Sequence, residues 1–157
     1  MVTRELSAEE TKKLRSKLER KLLSTVEKSI NYWYPLFPVY KSVPVIAFDT
    51  HFIAKVENIK KIRNILIKHN ISTVIELPEF ENASRIEGFT DEEYFLAEDD
   101  DGITLPYMSE CFWFDQNEDW IMYASHEFTI AFGGEWLVNE IREQLDNYSN
   151  HEIKNFI

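Results

Sequence analysis

The 157-residue sequence contains a single cysteine, Cys111, and only four glycines. One cysteine excludes an internal disulfide, and its apolar neighbours predict a small buried side chain rather than a catalytic thiol. No apolar stretch has the length of a signal-peptide core or of a membrane-spanning helix. From these absences we expect a soluble, cytoplasmic protein.

Lysine and arginine are also absent between Ile86 and Ile141, a stretch that carries fifteen Asp and Glu residues. Residues 1–70 have fourteen Lys and Arg against seven Asp and Glu, whereas residues 71–157 have three against twenty-one. The two parts therefore carry +7 and −18, which gives the net charge of −11. An acidic surface repels nucleic acid and anionic lipid and attracts basic proteins. We expect a basic protein partner, and no nucleic acid or membrane.

Bulky apolar residues are plentiful, since 44% of the chain is hydrophobic and 14% is aromatic. That composition is sufficient for a packed interior, and the length is typical of one domain. We therefore expect a single domain over residues 1–157.

The sequence near the amino terminus has the pattern of a long amphipathic helix. Ser7 and Glu10 have capping-box spacing and predict a helix from about Ala8 to Asn31. Aliphatic residues then recur at every fourth position: Leu14, Leu18, Leu22, Val26 and Ile30. The aromatic segment 32–40 contains two prolines and is predicted to be an extended connector.

Two short β-branched runs flank a second predicted helix. The strands are predicted at Val43–Asp49 and Ser72–Leu77, with Pro44 placing the start of the first at a sheet edge or strand entrance. The helix between them is predicted at Glu57–His69, ending at Asn70. A helical connection favours a right-handed parallel pairing of the two strands.

Three short apolar runs between Cys111 and Phe132, separated by polar breaks, predict a three-stranded antiparallel meander. Gly133-Gly134 is interpreted as a turn rather than a phosphate site, and a closing helix follows from Glu135 to Tyr148. The fold class is therefore predicted as α+β. We expect a mixed or antiparallel sheet of about five strands, packed by about three helices.

Few residues suggest a catalytic or metal-binding role. Asp49 and His51 follow the first strand, and His126-Glu127 occupies a turn of the meander, so these four could bind zinc or act as acid and base if the ends meet. The run Asp99-Asp100-Asp101-Gly102 lacks the alternating spacing of a calcium loop. We therefore expect no cofactor, no metal site and no catalytic residue, and keep the Asp49, His51, His126 and Glu127 enzyme as an alternative.

The segment from Cys111 to Gly134, with the pieces W-I-M-Y-A-S-H-E and T-I-A-F-G-G, resembles a pattern in small bacterial proteins, some of them grouped with toxin-immunity proteins. The resemblance covers about a sixth of the chain, in strand and turn residues. It implies a bacterial, non-catalytic, partner-binding protein. No functional residue is carried over from it.

The leading hypothesis is an acidic protein-binding module, of the immunity type, that neutralises a basic toxin. Residues 78–107 are predicted to be mainly loop, with a short helix at Asp91–Leu96, and form the candidate binding surface. Carboxylates would steer the partner and Tyr94 and Phe95 would be exposed anchors. A self-associating structural protein is a further alternative. The predicted partner-binding residues are Glu87, Asp91, Glu92, Glu93, Tyr94, Phe95, Glu98, Asp99, Asp100 and Asp101.

Overall fold

The computed structural model describes residues 2–21, 44–98, 110–125 and 127–154. Within these ranges the strands are β1 Val2–Glu5, β2 Val45–Asp49, β3 Thr73–Pro78, β4 Ser84–Glu87, β5 Cys111–Phe114, β6 Ile121–Ala124 and β7 Thr129–Gly133. The helices are α1 Ala8–Lys21, α2 Thr50–Ile53, α3 Val56–Lys68, α4 Glu92–Phe95, α5 Glu135–Gln144 and α6 Tyr148–His151. Among these helices none is long and apolar enough to cross a bilayer.

The seven strands form one sheet in the order β1-β4-β3-β5-β6-β7-β2, and every neighbouring pair is antiparallel. The α+β class is thus confirmed. The predicted counts of about five strands and three helices are too low, since the described residues contain seven strands and six helices. The missed elements are four residues long, too short to show a hydrophobic period.

The predicted parallel pairing of β2 and β3 is wrong. β2 pairs with β7 at one edge of the sheet, and β3 lies between β4 and β5. The alternating directions leave β2 and β3 pointing the same way, but β5, β6 and β7 separate them. The three strands of the meander, which come later in the chain, lie between β3 and β2 in the sheet, where a simple crossover would have placed β2 and β3 side by side.

Each face of the sheet has its own apolar cluster. Helices α3 and α5 pack against each other on one face, over residues such as Val74 and Trp113. Leu14 and Leu18 of α1 belong to the other face, with Phe112. Strand alternation explains this division, because successive side chains of a strand point to opposite faces.

The start of α1 and the end of α3 follow the sequence signals. Ser7 N donates to Glu10 Oε2 at 2.8 Å and Glu10 N donates to Ser7 Oγ at 3.1 Å, the reciprocal bonds of a capping box. Asn70, after α3, has the left-handed φ of 60° expected of a residue that ends a helix. The predicted continuation of α1 over 22–31 and the connector 32–40 lie outside the described residues.

The meander is confirmed as β5, β6 and β7, and its two turns share one feature. Glu118, in the turn between β5 and β6, and Phe128, in the turn between β6 and β7, both have positive φ, at 55° and 60°. The Glu118 N–H donates to the Asp115 carbonyl at 3.1 Å, and the Phe128 N–H donates to the Ser125 carbonyl at 3.3 Å. We call the end of the sheet that carries the Phe128 turn the upper end; β1, β2, β3 and β6 end there, and β4, β5 and β7 begin there.

The predicted closing helix ends earlier than expected. α5 stops at Gln144, Leu145 is extended and buried, and Asn147 has a left-handed φ of 58° before the single turn of α6. The chain after α6 returns to β2, where the Ile153 N–H donates to the Ala47 carbonyl at 2.8 Å. This contact covers the outer side of β2, which is an edge strand, one of the two positions that Pro44 indicated.

Candidate functional site

The predicted acidic loop is described from Glu87 to Glu98, whereas Asp99, Asp100 and Asp101 lie outside the described residues. Glu87 ends β4, and Asp91, Glu92, Glu93 and Glu98 are exposed around the short helix α4. The prediction of an exposed Phe95 is wrong, because its side chain is fully buried and packs edge-on against Phe89 at 5.4 Å between ring centroids. Phe95 therefore holds α4 on the sheet and is not a contact for a partner.

Tyr94 is half-buried and also faces the sheet. Its hydroxyl donates to Glu76 Oε2 at 3.0 Å, and the same oxygen accepts from Trp113 Nε1 at 2.9 Å. Burial, and secondarily the negative charge of Glu76, raises the pKa of Tyr94 far above its usual value, so the phenol stays protonated and remains a donor. The aromatic side chains of α4 thus attach it to the sheet, while its carboxylates face outward.

Cys111 lies on the same face and is buried, as the sequence predicted. Burial, reinforced by the charge of Glu76, raises the pKa of its thiol. A thiol that stays protonated is a poor nucleophile. This agrees with a structural role for Cys111.

The residues of the enzyme alternative are only partly brought together. The ends of β2 and β7 do meet, because Asp49 pairs with Thr129 and the Thr50 N–H donates to the Phe128 carbonyl at 2.8 Å. Asp49 Oδ1 caps α2 by accepting from the His51 N–H at 2.8 Å, and it lies 3.6 Å from His51 Nδ1. Both side chains are exposed, and His126 lies outside the described residues. In the described part of the chain, no cluster of three or more His, Cys, Asp and Glu residues could hold a metal ion.

A second acidic group lies at the upper end of the sheet and was not identified from the sequence. The Glu79 N–H donates to the Glu110 carbonyl at 3.3 Å, and the buried Tyr123 donates its hydroxyl to the Glu110 carboxylate. Burial first, then Glu110, and then the charges of Glu79 and Glu127 raise the pKa of Tyr123 far above its usual value. Glu110 thus binds the Tyr123 hydroxyl directly, and Glu79 and Glu127 act on it through their charge. The sequence could not identify this group, because the strand order is needed to know that Glu79, Glu110 and Glu127 lie at the same end of the sheet.

At the opposite, lower end, a cleft of about 510 Å³ lies between α1 and the sheet. Its volume is within the range of small-molecule pockets, and its lining includes Leu14, Ile75 and Phe114 together with charged residues. The cations are already matched by carboxylates: Lys17 pairs with Glu118, and Arg85 Nε lies 3.8 Å from Glu87. Two cations, Lys17 and Arg85, and two carboxylates, Asp115 and Glu118, line the cleft, so it favours neither an anionic nor a cationic ligand.

No known protein family matches the chain, and neither does any curated protein or any solved structure. The likeness to toxin-immunity proteins therefore stays a prediction.

The fold divides the acidic residues into two kinds. Cations of α1 and α3 pair with Glu118, with Glu140 (Lys68 Nζ at 2.6 Å) and with Asp146 (Lys61 Nζ at 3.2 Å). The basic first part of the sequence is thus used in part to neutralise the acidic second part. By contrast, none of Glu92, Glu93 and Glu98 forms an ion pair with another described residue. These three carboxylates therefore stay without an ion pair in the described part of the chain, and the cation beside α4, Arg63, donates to the Thr90 carbonyl at 2.7 Å.

The hydroxyl of Ser125 adds to the backbone hydrogen bonds of the turn between β6 and β7, which provides a first test of the upper end. Ser125 is buried; its Oγ lies 2.8 Å from Thr129 Oγ1 and accepts from the Glu127 N–H at 3.2 Å. We expect Ser125→Ala to lower the free energy of unfolding by about 1–2 kcal/mol, because the Thr129 hydroxyl and the Glu127 N–H lose the Ser125 hydroxyl as a hydrogen-bond partner. Urea unfolding measures this, and Ser149→Ala, an exposed serine on α6, is the control. An equal effect of both changes would contradict the role of the turn hydroxyl.

Proposed function

We propose that the protein is a non-catalytic acidic module that binds a basic protein, of the immunity type that blocks a basic toxin such as a nuclease. The observation that supports this is the charge of Glu92 and Glu93 on α4 and of Glu98 after it, which no ion pair within the described residues compensates, next to a helix anchored by Tyr94 and Phe95. Surface charge that a fold leaves unpaired costs self-repulsion. A cationic partner would remove that cost.

The anchoring of α4 matters for how such a surface works. Phe95 and Tyr94 hold the helix on the sheet, so its carboxylates keep a defined position before any partner arrives. A preorganised charged surface loses little conformational entropy on binding. Electrostatic attraction then acts mainly on the rate of association and on the choice of partner.

The test is a binding measurement on a captured partner at two salt concentrations. We expect the partner to be basic and its association rate to fall about tenfold or more between about 50 mM and about 500 mM salt, because salt screens surface charges. The double variant Glu92→Gln/Glu93→Gln should also slow association. Surface plasmon resonance gives both rates.

The control variant Glu9→Gln/Glu57→Gln removes the same number of exposed carboxylates from α1 and α3. It should leave the association rate within about twofold of the unmodified protein. An association rate indifferent to salt, or an equal loss in both double variants, would argue against an electrostatic role for α4.

A further inference from the structure

Among the described residues, the two most exposed aromatic side chains lie at the upper end of the sheet. Phe80, in the turn between β3 and β4, is 88% exposed, and Phe128, in the turn between β6 and β7, is 56% exposed. Both turns lie at the same end, separated by roughly three strand spacings, or about 14 Å. Within the described part of the chain neither ring contacts another aromatic ring.

Both turns are held by side chains that do not belong to the exposed tips. Nη2 of Arg15, in α1, donates hydrogen bonds to the carbonyls of Pro78 and Glu81, at 2.6 and 3.0 Å. It thus links the two sides of the turn that carries Phe80. Ser125 closes the other turn through its hydroxyl, as described above. The left-handed backbone at Phe128 is part of that closure. The two phenylalanines are therefore presented on fixed turns, and an aromatic ring held in this way loses little entropy when it is buried by a partner.

The charged residues next to the two rings in the sequence are acidic. Glu79 and Glu81 flank Phe80 in the sequence, and Glu127 precedes Phe128. Glu79, Glu110 and Glu127 all contribute negative charge at Tyr123, between the two turns. Among the described cations, Arg15 contacts this end through backbone carbonyls, and Lys55 follows α2, the helix whose Thr50 N–H donates to the Phe128 carbonyl. The complementary surface is one with apolar depressions bordered by Lys and Arg.

We propose that the upper end of the sheet, with Phe80 and Phe128 as anchors, is where the basic protein partner docks. This inference rests on the proposed function and adds the position of the contact to it. Exposed aromatic residues carry a disproportionate share of binding energy at interfaces, whereas surrounding carboxylates set orientation and specificity. The α4 carboxylates would then steer the partner without forming the centre of the contact.

The test uses phage-displayed random peptides of about twelve residues, long enough to span the two rings, selected on the full chain. We expect enriched peptides to combine Lys and Arg with apolar side chains. Their affinity should fall at least about tenfold for Phe80→Ser and for Phe128→Asn. Asparagine tolerates the left-handed backbone, so Phe128→Asn keeps the turn. Val56→Ser and Ile67→Ser, which remove exposed apolar side chains from α3, should change affinity by less than about twofold.

The possible results separate the two proposals. Basic peptides that bind the Phe80→Ser/Phe128→Asn double variant as tightly as the unmodified protein would overturn this docking surface and leave the proposed function standing. Enriched peptides without an excess of Lys and Arg would overturn the proposed function. A selection that enriches no peptide would overturn the docking surface. Circular dichroism of every variant confirms that the compared proteins are folded.

Discussion

Replacing Gly134 by alanine is expected to lower the free energy of unfolding by about 3 kcal/mol or more. Gly134 joins β7 to α5 with a φ of 110°, a conformation that costs an L-residue roughly 1–3 kcal/mol. A Cβ at this position would also lie 2.3 Å from the Asp119 carbonyl oxygen and 2.9 Å from the Trp120 Cα. Both contacts are to backbone, so no side-chain rotation can relieve them.

The backbone of Gly134 is tied on both sides, which is why a shift of this junction would itself be costly. Its N–H donates to the Pro44 carbonyl at 3.0 Å, and its carbonyl accepts from the Val138 N–H at 3.0 Å. Moving the junction to accommodate a methyl group would disturb the start of β2 and the first turn of α5. Equilibrium urea unfolding measures the loss, and a change below about 1 kcal/mol would show that the Asp119–Trp120 backbone yields easily.

The second large effect is expected at Glu76, the acceptor that joins α4 to the sheet. Glu76→Leu should lower the free energy of unfolding by about 2–4 kcal/mol, because it leaves the buried Trp113 indole N–H and the half-buried Tyr94 hydroxyl without their acceptor. The change also removes a charge-assisted pair of hydrogen bonds, which are the stronger kind. Urea unfolding followed by tryptophan fluorescence is the measurement.

Glu76→Gln is the matched control, since the amide keeps an acceptor oxygen of similar size. We expect it to cost no more than about 1 kcal/mol, the difference between a charged and a neutral acceptor. If both variants lost the same stability, the negative charge of Glu76 and not its hydrogen bonds would be responsible. Limited proteolysis within 88–98 would report separately whether α4 has been released from the sheet.

Local structure was largely predictable. The capping box of Ser7 and Glu10, the amphipathic pattern of α3 and the three apolar runs of the meander depend on neighbours in sequence, and the structure confirms them. β1 and β4 were missed because V-T-R-E and S-R-I-E contain one aliphatic residue each. Such strands form because a neighbouring strand supplies the hydrogen bonds, which a local pattern cannot show.

The site was less predictable than the fold. The acidic run around α4 was visible in the sequence, but whether Phe95 faces solvent depends on where a four-residue helix meets the sheet. Glu79, Glu110 and Glu127 are far apart in sequence, and only the strand order brings them to Tyr123. Phe80 and Phe128 gave no signal, because an aromatic residue in an apolar chain is more often buried than exposed.

Two things follow from the sequence alone: an α+β chain with a C-terminal meander, and a basic first part joined to an acidic second part. The tertiary structure decided which charges remain. Lys17, Lys61 and Lys68 form ion pairs with acids of the second part, whereas Glu92 and Glu93 of α4 form none with another described residue. The physical reason is range: helix and turn preferences act over a few residues, whereas ion pairing and strand order require segments that only the folded chain brings together.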